Sequence, residues 1–239
     1  MHSEPLPENT LATRGIKELP KQPGNPASQT SGRTLDHVAE VYDWIEPLMM
    51  LGMDRRIQRE VTALLSLRGY ERILDVGCGT GTLTRHIAAA LSDVNRSFVV
   101  GVDAAERMIA VAKRKAAGIP NIAFESALAE HLPFADRSFD LAVSTMFFHH
   151  INVDLKLQAL NELWRTLAPG GRAIVVDVSP PTSWFGTLCA WAGYVLFQQS
   201  EIRENIEGRL EAAFDLSQFQ QWRRITHHFG YVSVYELKR

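Results

Sequence analysis

Cysteine is scarce in this chain. Only Cys78 and Cys189 occur among 239 residues, too few for a disulfide framework or a cysteine-rich metal centre, so a reducing, cytoplasmic setting is the expectation. A dominant charge is also missing. The 25 basic and 27 acidic residues leave a formal net charge of -2, which gives no overall attraction for nucleic acid. No apolar run approaches the ~18 residues of a membrane-spanning helix. The N-terminus carries Glu4 and Glu8 and no apolar stretch, so it does not read as a secretory signal. What remains is an ordinary globular composition, long enough for one large domain and a tail.

Residues 1–34 are rich in Pro, Ser, Thr, Asn and Gly and show no hydrophobic period. They are expected to be a disordered tail. The domain is expected over 35–239, opening with a helical cap over 36–67. Val38, Val41, Tyr42, Ile45, Leu48 and Met49 recur at helical spacing, and Ile57, Val61, Leu64 and Leu65 share one face of a second helix. The texture then changes. Short apolar strands are predicted at 73–76, 98–102, 122–125, 139–143 and 172–176, separated by helices near 82–92, 105–117 and 154–167. Such alternation means a parallel sheet covered by helices. Two strand-like runs, 225–229 and 231–237, meet at Gly230 and suggest a closing antiparallel hairpin.

The sharpest feature is Asp75-Val76-Gly77-Cys78-Gly79-Thr80-Gly81, placed between the first strand and a helix, where open α/β sheets bind ligands. The glycines fall at 77, 79 and 81, not at the G-x-G-x-x-G spacing of a dinucleotide site. An anionic pyrophosphate would be repelled by Asp75, whereas a cationic amino group would be drawn to it. Asp103 ends the second strand. A carboxylate there is placed to accept from ribose hydroxyls, and its alternative role is to cap the following helix.

Five runs carry a family resemblance: Ile73–Thr82, Val100–Met108, Ala129–Asp140, His149–Ile151 and Leu167–Gly171. In that order and spacing the chain from about Asp36 resembles the class I S-adenosylmethionine (SAM)-dependent methyltransferases, in particular the branch of the ubiquinone/menaquinone C-methyltransferases. The resemblance implies a Rossmann-like α/β fold with a mostly parallel seven-stranded sheet and an antiparallel C-terminal hairpin. It implies SAM as cofactor and a small, lipophilic or aromatic acceptor. It places Asp75, Gly77, Cys78, Gly79 and Thr80 around the methionine moiety, Asp103 at the ribose, and Ala104, Met108, Leu128 and Ala129 around the adenine. Thr145 would help position the methionine portion, and Tyr42 would help close the site. Members of this branch often have Asp where this chain has Leu128, so adenine recognition is expected to be weaker, by about 1 kcal/mol, with Glu130 as a substitute acceptor.

Methyl transfer needs alignment, exclusion of water and, for some acceptors, a base. His149 and His150 follow the fourth strand and are the candidates for that base; the alternative is that they pack a loop. No metal site is expected from these or from His227 and His228. Trp184–Phe197 is apolar throughout, and the favoured reading is a packed helix or pocket wall, with contact to a membrane surface less favoured because the stretch has no basic residue. Glu201–Leu210 reads as a polar loop or solvated helix. Ser179-Pro180-Pro181-Thr182 follows the fifth strand, not the fourth, so it is not the motif of nucleic-acid amino-methyltransferases. A SAM-binding protein without catalysis is the competing function, and a nicotinamide oxidoreductase is disfavoured by the glycine spacing.

Overall fold

The computed structural model describes residues 26–30, 32, 52, 54–219 and 221–239. The expected helix over 36–51, including Tyr42, lies outside the described residues. α1 (Asp54–Leu65) buries Ile57, Val61 and Leu65, one face of an amphipathic helix. β1 (Arg72–Val76), α2 (Thr82–Ala90), β2 (Phe98–Asp103), α3 (Glu106–Lys115), β3 (Ile122–Ser126), β4 (Phe139–Thr145), α4 (Val153–Thr166) and β5 (Leu167–Val178) then alternate as predicted. The four α4 positions 155, 159, 160 and 163 are buried apolar residues at helical spacing, and Asn152 caps the helix by accepting from the Leu155 amide.

The sheet has seven strands in the order β3-β2-β1-β4-β5-β7-β6. β1 pairs parallel with β2 and β4, β2 with β3, and β4 with β5. β7 (Val232–Lys238) inserts antiparallel between β5 and β6 (Gln221–His228). The order reverses between β1 and β4, which opens a crevice at the carboxyl ends of the strands. Apolar side chains fill both faces. Leu74, Val100, Ala142 and Val175 pack toward α4 and Phe214, while Ile73, Val99, Val143 and Ile174 pack toward α1, α2 and α3. Strands buried on both sides explain the unbroken Val/Ile/Leu runs.

Three expectations need correction. β5 begins at Leu167, earlier than expected, because the Ala168–Gly171 stretch bulges within the β4–β5 pairing and then resumes at Leu141–Arg172. Glu201–Leu210, read as a polar loop or a short solvated helix, is helical but partly buried. It contains α6 (Ser200–Ile206) and the start of α7 (Arg209–Leu216), with Ile202, Asn205, Ile206 and Leu210 buried. The apolar helix α5 (Trp184–Phe197) is not packed away, since only Gly186 and Ala190 of it are buried. Part of the stretch read as a tail is also placed: Pro26–Ser28 form a single 3-10 turn, and Thr30 donates to Glu130 Oε1 at 2.6 Å.

Candidate functional site

The glycine loop is tied to the neighbouring strand before it reaches α2. The amides of Gly77 and Cys78 both donate to the Val102 carbonyl, at 2.9 and 3.0 Å. Gly77 has φ +73° and Gly79 φ +53°, a region that L side chains rarely occupy. A Cβ on Gly77 would lie 2.5 Å from the Phe147 ring, whereas one on Gly79 would meet no protein atom within 4 Å. The first glycine thus lets Phe147 approach, and the second leaves backbone open to the crevice.

Asp103 holds the loop's far side. Its Oδ2 accepts from the Gly79 amide at 3.0 Å and its Oδ1 from the Ala105 amide at 2.9 Å. The carboxylate therefore serves the helix entry and the loop at once, while remaining on the pocket wall.

Asp75 sits beneath the loop and not on the pocket wall. It is 1 % exposed. Oδ2 accepts from Thr84 Oγ1 at 2.7 Å, and Oδ1 has no hydrogen-bond partner. Burial, reinforced by the charge of Asp103 and opposed by Thr84, pushes its carboxyl up to about 7. A buried acid with an unused oxygen is a standing cost, and a cation delivered to this loop would relieve it. Cys78 is no nucleophile: burial and the two nearby aspartates hold its thiol protonated.

The crevice brings most of the predicted residues together. Gly77, Cys78, Gly79, Thr80, Asp103, Ala104, Met108, Ala129, Thr145 and His150 all line one pocket. Leu128 does not. It is buried behind the wall and pairs with His131 in an isolated bridge, leaving Ala127, Ala129 and Glu130 on the surface of the pocket. Glu130 already accepts from Thr30, so one of its oxygens is engaged by the N-terminal segment.

The two adjacent histidines have separate fates. His150 lines the pocket, whereas His149 turns away into a polar cluster. They sit on a 3-10 turn, Phe148–His150, with ring centroids 4.1 Å apart. Asp177, fully buried near the end of β5, organises this turn. It accepts from the Phe148 amide at 2.7 Å, meets His149 Nδ1 at 2.8 Å, and accepts from Asn205 Nδ2 of α6 at 3.1 Å. Burial by itself raises an acid, but His149, the Val178 amide that donates to Oδ1 at 2.7 Å, and the charge of His150 hold Asp177 below the ordinary carboxylate range. Nearby, the buried Lys156 ammonium donates to the Ile151 carbonyl and to Glu204 of α6, both at 2.7 Å. The turn is thereby anchored from β5, α4 and α6 together.

His227 and His228 belong to the fold. His227 Nδ1 meets Ser233 Oγ at 2.6 Å, and His228 Nε2 meets Glu60 of α1 at 2.9 Å. Several wall residues carried no sequence signal, including Thr30, Asp54, Gln58, Met146 and Phe147. Met146 has φ +53°, unusual for a non-glycine residue, and such strain arises where the surroundings over-determine the backbone. No local pattern marks it.

The chain matches the family model described as "Methyltransferase domain" over residues 73–171. It is 37 % identical over 149 residues to the ubiquinone/menaquinone biosynthesis C-methyltransferase of Geobacter sulfurreducens, covering 61 % of this chain and 57 % of that protein. It is 35 % identical over 170 residues to the demethylmenaquinone methyltransferase of Chlorobaculum parvum, covering 69 % of this chain and 67 % of that one. The match thus spans little more than half of the Geobacter relative. Among solved structures, a SAM-dependent methyltransferase from Aquifex aeolicus superposes with TM-score 0.61 at 18 % identity, over 86 % of this chain and 99 % of that one. At that identity the likeness is one of fold.

Proposed function

As the chain belongs to the class I SAM-dependent methyltransferase family, we propose that it transfers a methyl group from SAM to a small lipophilic acceptor of the quinone class. The observation that carries this reading is the open loop Gly77–Thr80 facing Asp103, with the unpartnered oxygen of Asp75 beneath it. The residues fit the cofactor's chemistry. Asp75 and the loop backbone suit an ammonium and its carboxylate. Asp103 suits two ribose hydroxyls. Ala104, Met108 and Ala129 on the pocket wall suit the apolar adenine, and Thr145 on the same wall suits the methionine portion. Tyr42 is an expected closing residue that lies outside the described chain.

Bound here, SAM supplies an electrophilic methyl group and leaves as a neutral thioether. The chain's own work is the rest. Met146, Phe147 and Ile151 line the pocket beside the loop and exclude water from it. His150 faces the pocket and would take the proton that an acceptor hydroxyl or ring carbon loses on methylation. Asp177 and His149 fix the turn that carries it. His149 therefore serves as a positioning residue, and His150 as the catalytic candidate of the pair.

The test is calorimetric titration with SAM, S-adenosylhomocysteine and NADH, followed by methyl transfer to demethylated quinone acceptors. Micromolar binding of the first two, none of NADH, and methylated product are expected. Absence of SAM binding by folded protein would sink the reading.

A further inference from the structure

α5 is built inside out for a helix of a water-soluble surface. Its fourteen residues, WFGTLCAWAGYVLF, contain no charge. Trp184, Leu188, Trp191 and Val195 fall at i, i+4, i+7 and i+11, one ridge along the helix, and they are 79, 61, 38 and 66 % exposed. The small residues Gly186 and Ala190 lie on the opposite side and are the buried ones. A Cβ on Gly186 would run into the Gly230 carbonyl, so the helix is drawn tightly onto the β6–β7 turn by its smallest side. Seven of the eleven exposed large apolar side chains among the described residues belong to α5. The exposure is therefore a property of this helix and not of the surface at large.

Two further observations locate this ridge. Ala190 and Tyr194 pack with Val178, Tyr231 and Met146, and Met146 also lines the cofactor pocket. The inner side of α5 thus packs against a residue of the pocket wall. On the same pocket, α1 contributes Asp54, Ile57 and Gln58 to the lining, and its alternate positions Arg55, Arg56 and Arg59 are exposed, with no ion-pair partner among the described residues. The helix that bears the apolar ridge and the helix that bears the three arginines thus both meet the wall of one pocket.

We propose that α5 and the first two turns of α1 form a docking surface for an anionic lipid bilayer, through which a lipophilic acceptor enters the pocket. This deepens the function proposed above and rests on it for its purpose. The geometry favours a bilayer over a second copy of the chain. The α5 ridge offers a partner protein only indole N–H groups to set register, whereas a standard interface carries about ten hydrogen bonds. A bilayer needs no register. Leu188, Val195 and Leu196 suit its hydrocarbon, Trp184 and Trp191 suit the headgroup boundary, and arginines suit anionic headgroups. At about 21 Å the helix is too short to cross the ~30 Å hydrocarbon core and would lie along it. A free interfacial helix needs its own charged face; here the domain behind α5 supplies the polar side.

The test is co-sedimentation of the full chain with phosphatidylcholine vesicles, with and without phosphatidylglycerol. The wild type is expected to bind, more tightly with the anionic lipid and less tightly in salt. Leu188→Glu with Val195→Glu should weaken binding at least about tenfold while SAM titration is unchanged. Arg55→Glu with Arg56→Glu should remove only the anionic-lipid and salt dependence. Wild type that does not sediment, or binding indifferent to the α5 substitutions, overturns the proposal. So does a concentration-dependent dimer, abolished by the same substitutions, in protein that ignores vesicles. Vesicle binding without SAM binding would instead refute the methyltransferase reading and leave the surface standing.

Discussion

His149 Nδ1 and Asp177 Oδ1 stand 2.8 Å apart, with the aspartate wholly buried and the histidine nearly so. The pair joins the 3-10 turn that follows β4 to the end of β5 and closes the turn that presents His150. Asp177→Asn keeps the shape but removes the charge that four donors address, and a broken buried pair costs about 3 kcal/mol or more. Urea denaturation should show that loss. Asp177 is held below the ordinary 3.8. Its stabilisation is therefore present above that pH and lost as pH falls through the lowered value. The wild type should lose stability more steeply than Asp177→Asn on acidification below about pH 4.

His150 and His149 differ in what they touch, so they should differ in effect. His150→Gln is expected to cut methyl transfer about 100-fold or more if the acceptor must release a proton, with SAM affinity little changed. His149→Gln should lower stability as well as rate, because it empties one place on Asp177. Equal activity in His150→Gln and wild type across the pH range would remove His150 from the chemistry.

Asp75 is raised to about 7 by burial. A raised acid favours the folded state while protonated, and that advantage is lost as pH rises from 3.8 toward 7. The ligand-free protein should therefore be less stable at pH 8 than at pH 5. An ammonium ligand needs the carboxylate, so SAM affinity should rise through about pH 7. It should fall again as the ligand's amino group, ordinarily titrating near ~8, is deprotonated. Asp75→Asn should flatten the rising limb in a calorimetric series.

Gly77 and Gly79 separate fold from ligand. Gly77→Ala drives a methyl group into the Phe147 ring and keeps a left-handed backbone, so a loss of roughly 2 kcal/mol or more in thermal stability is expected. Gly79→Ala meets no protein atom and should cost only about 1 kcal/mol. It places the methyl group at the open crevice, so SAM affinity should drop at least about tenfold. If Gly79→Ala binds SAM as wild type does, the loop is not the cofactor's cradle.

Much of this protein was legible in order along the chain. The alternation of apolar strands and periodic helices specified a parallel sheet, because strands buried on both faces and helices buried on one leave different periods. The loop Gly77–Thr80 and Asp103 were legible because a tight turn at a strand tip demands glycine and the next strand tip offers a carboxylate. Tertiary structure alone decided the rest. Asp177 lies 28 residues from His149, and only the β4–β5 pairing brings them together. Of the two histidines, backbone turn geometry chose which faces the pocket. Leu128, one residue from Ala129, fell behind the wall. Apolar composition marked α5, but not the side on which its large residues lie, since Gly186 and Ala190 could be assigned to the inner face only once the β6–β7 turn was seen against them. Local pattern reports what a segment can bury; which neighbour is there to bury it is set by contacts between residues far apart in the chain.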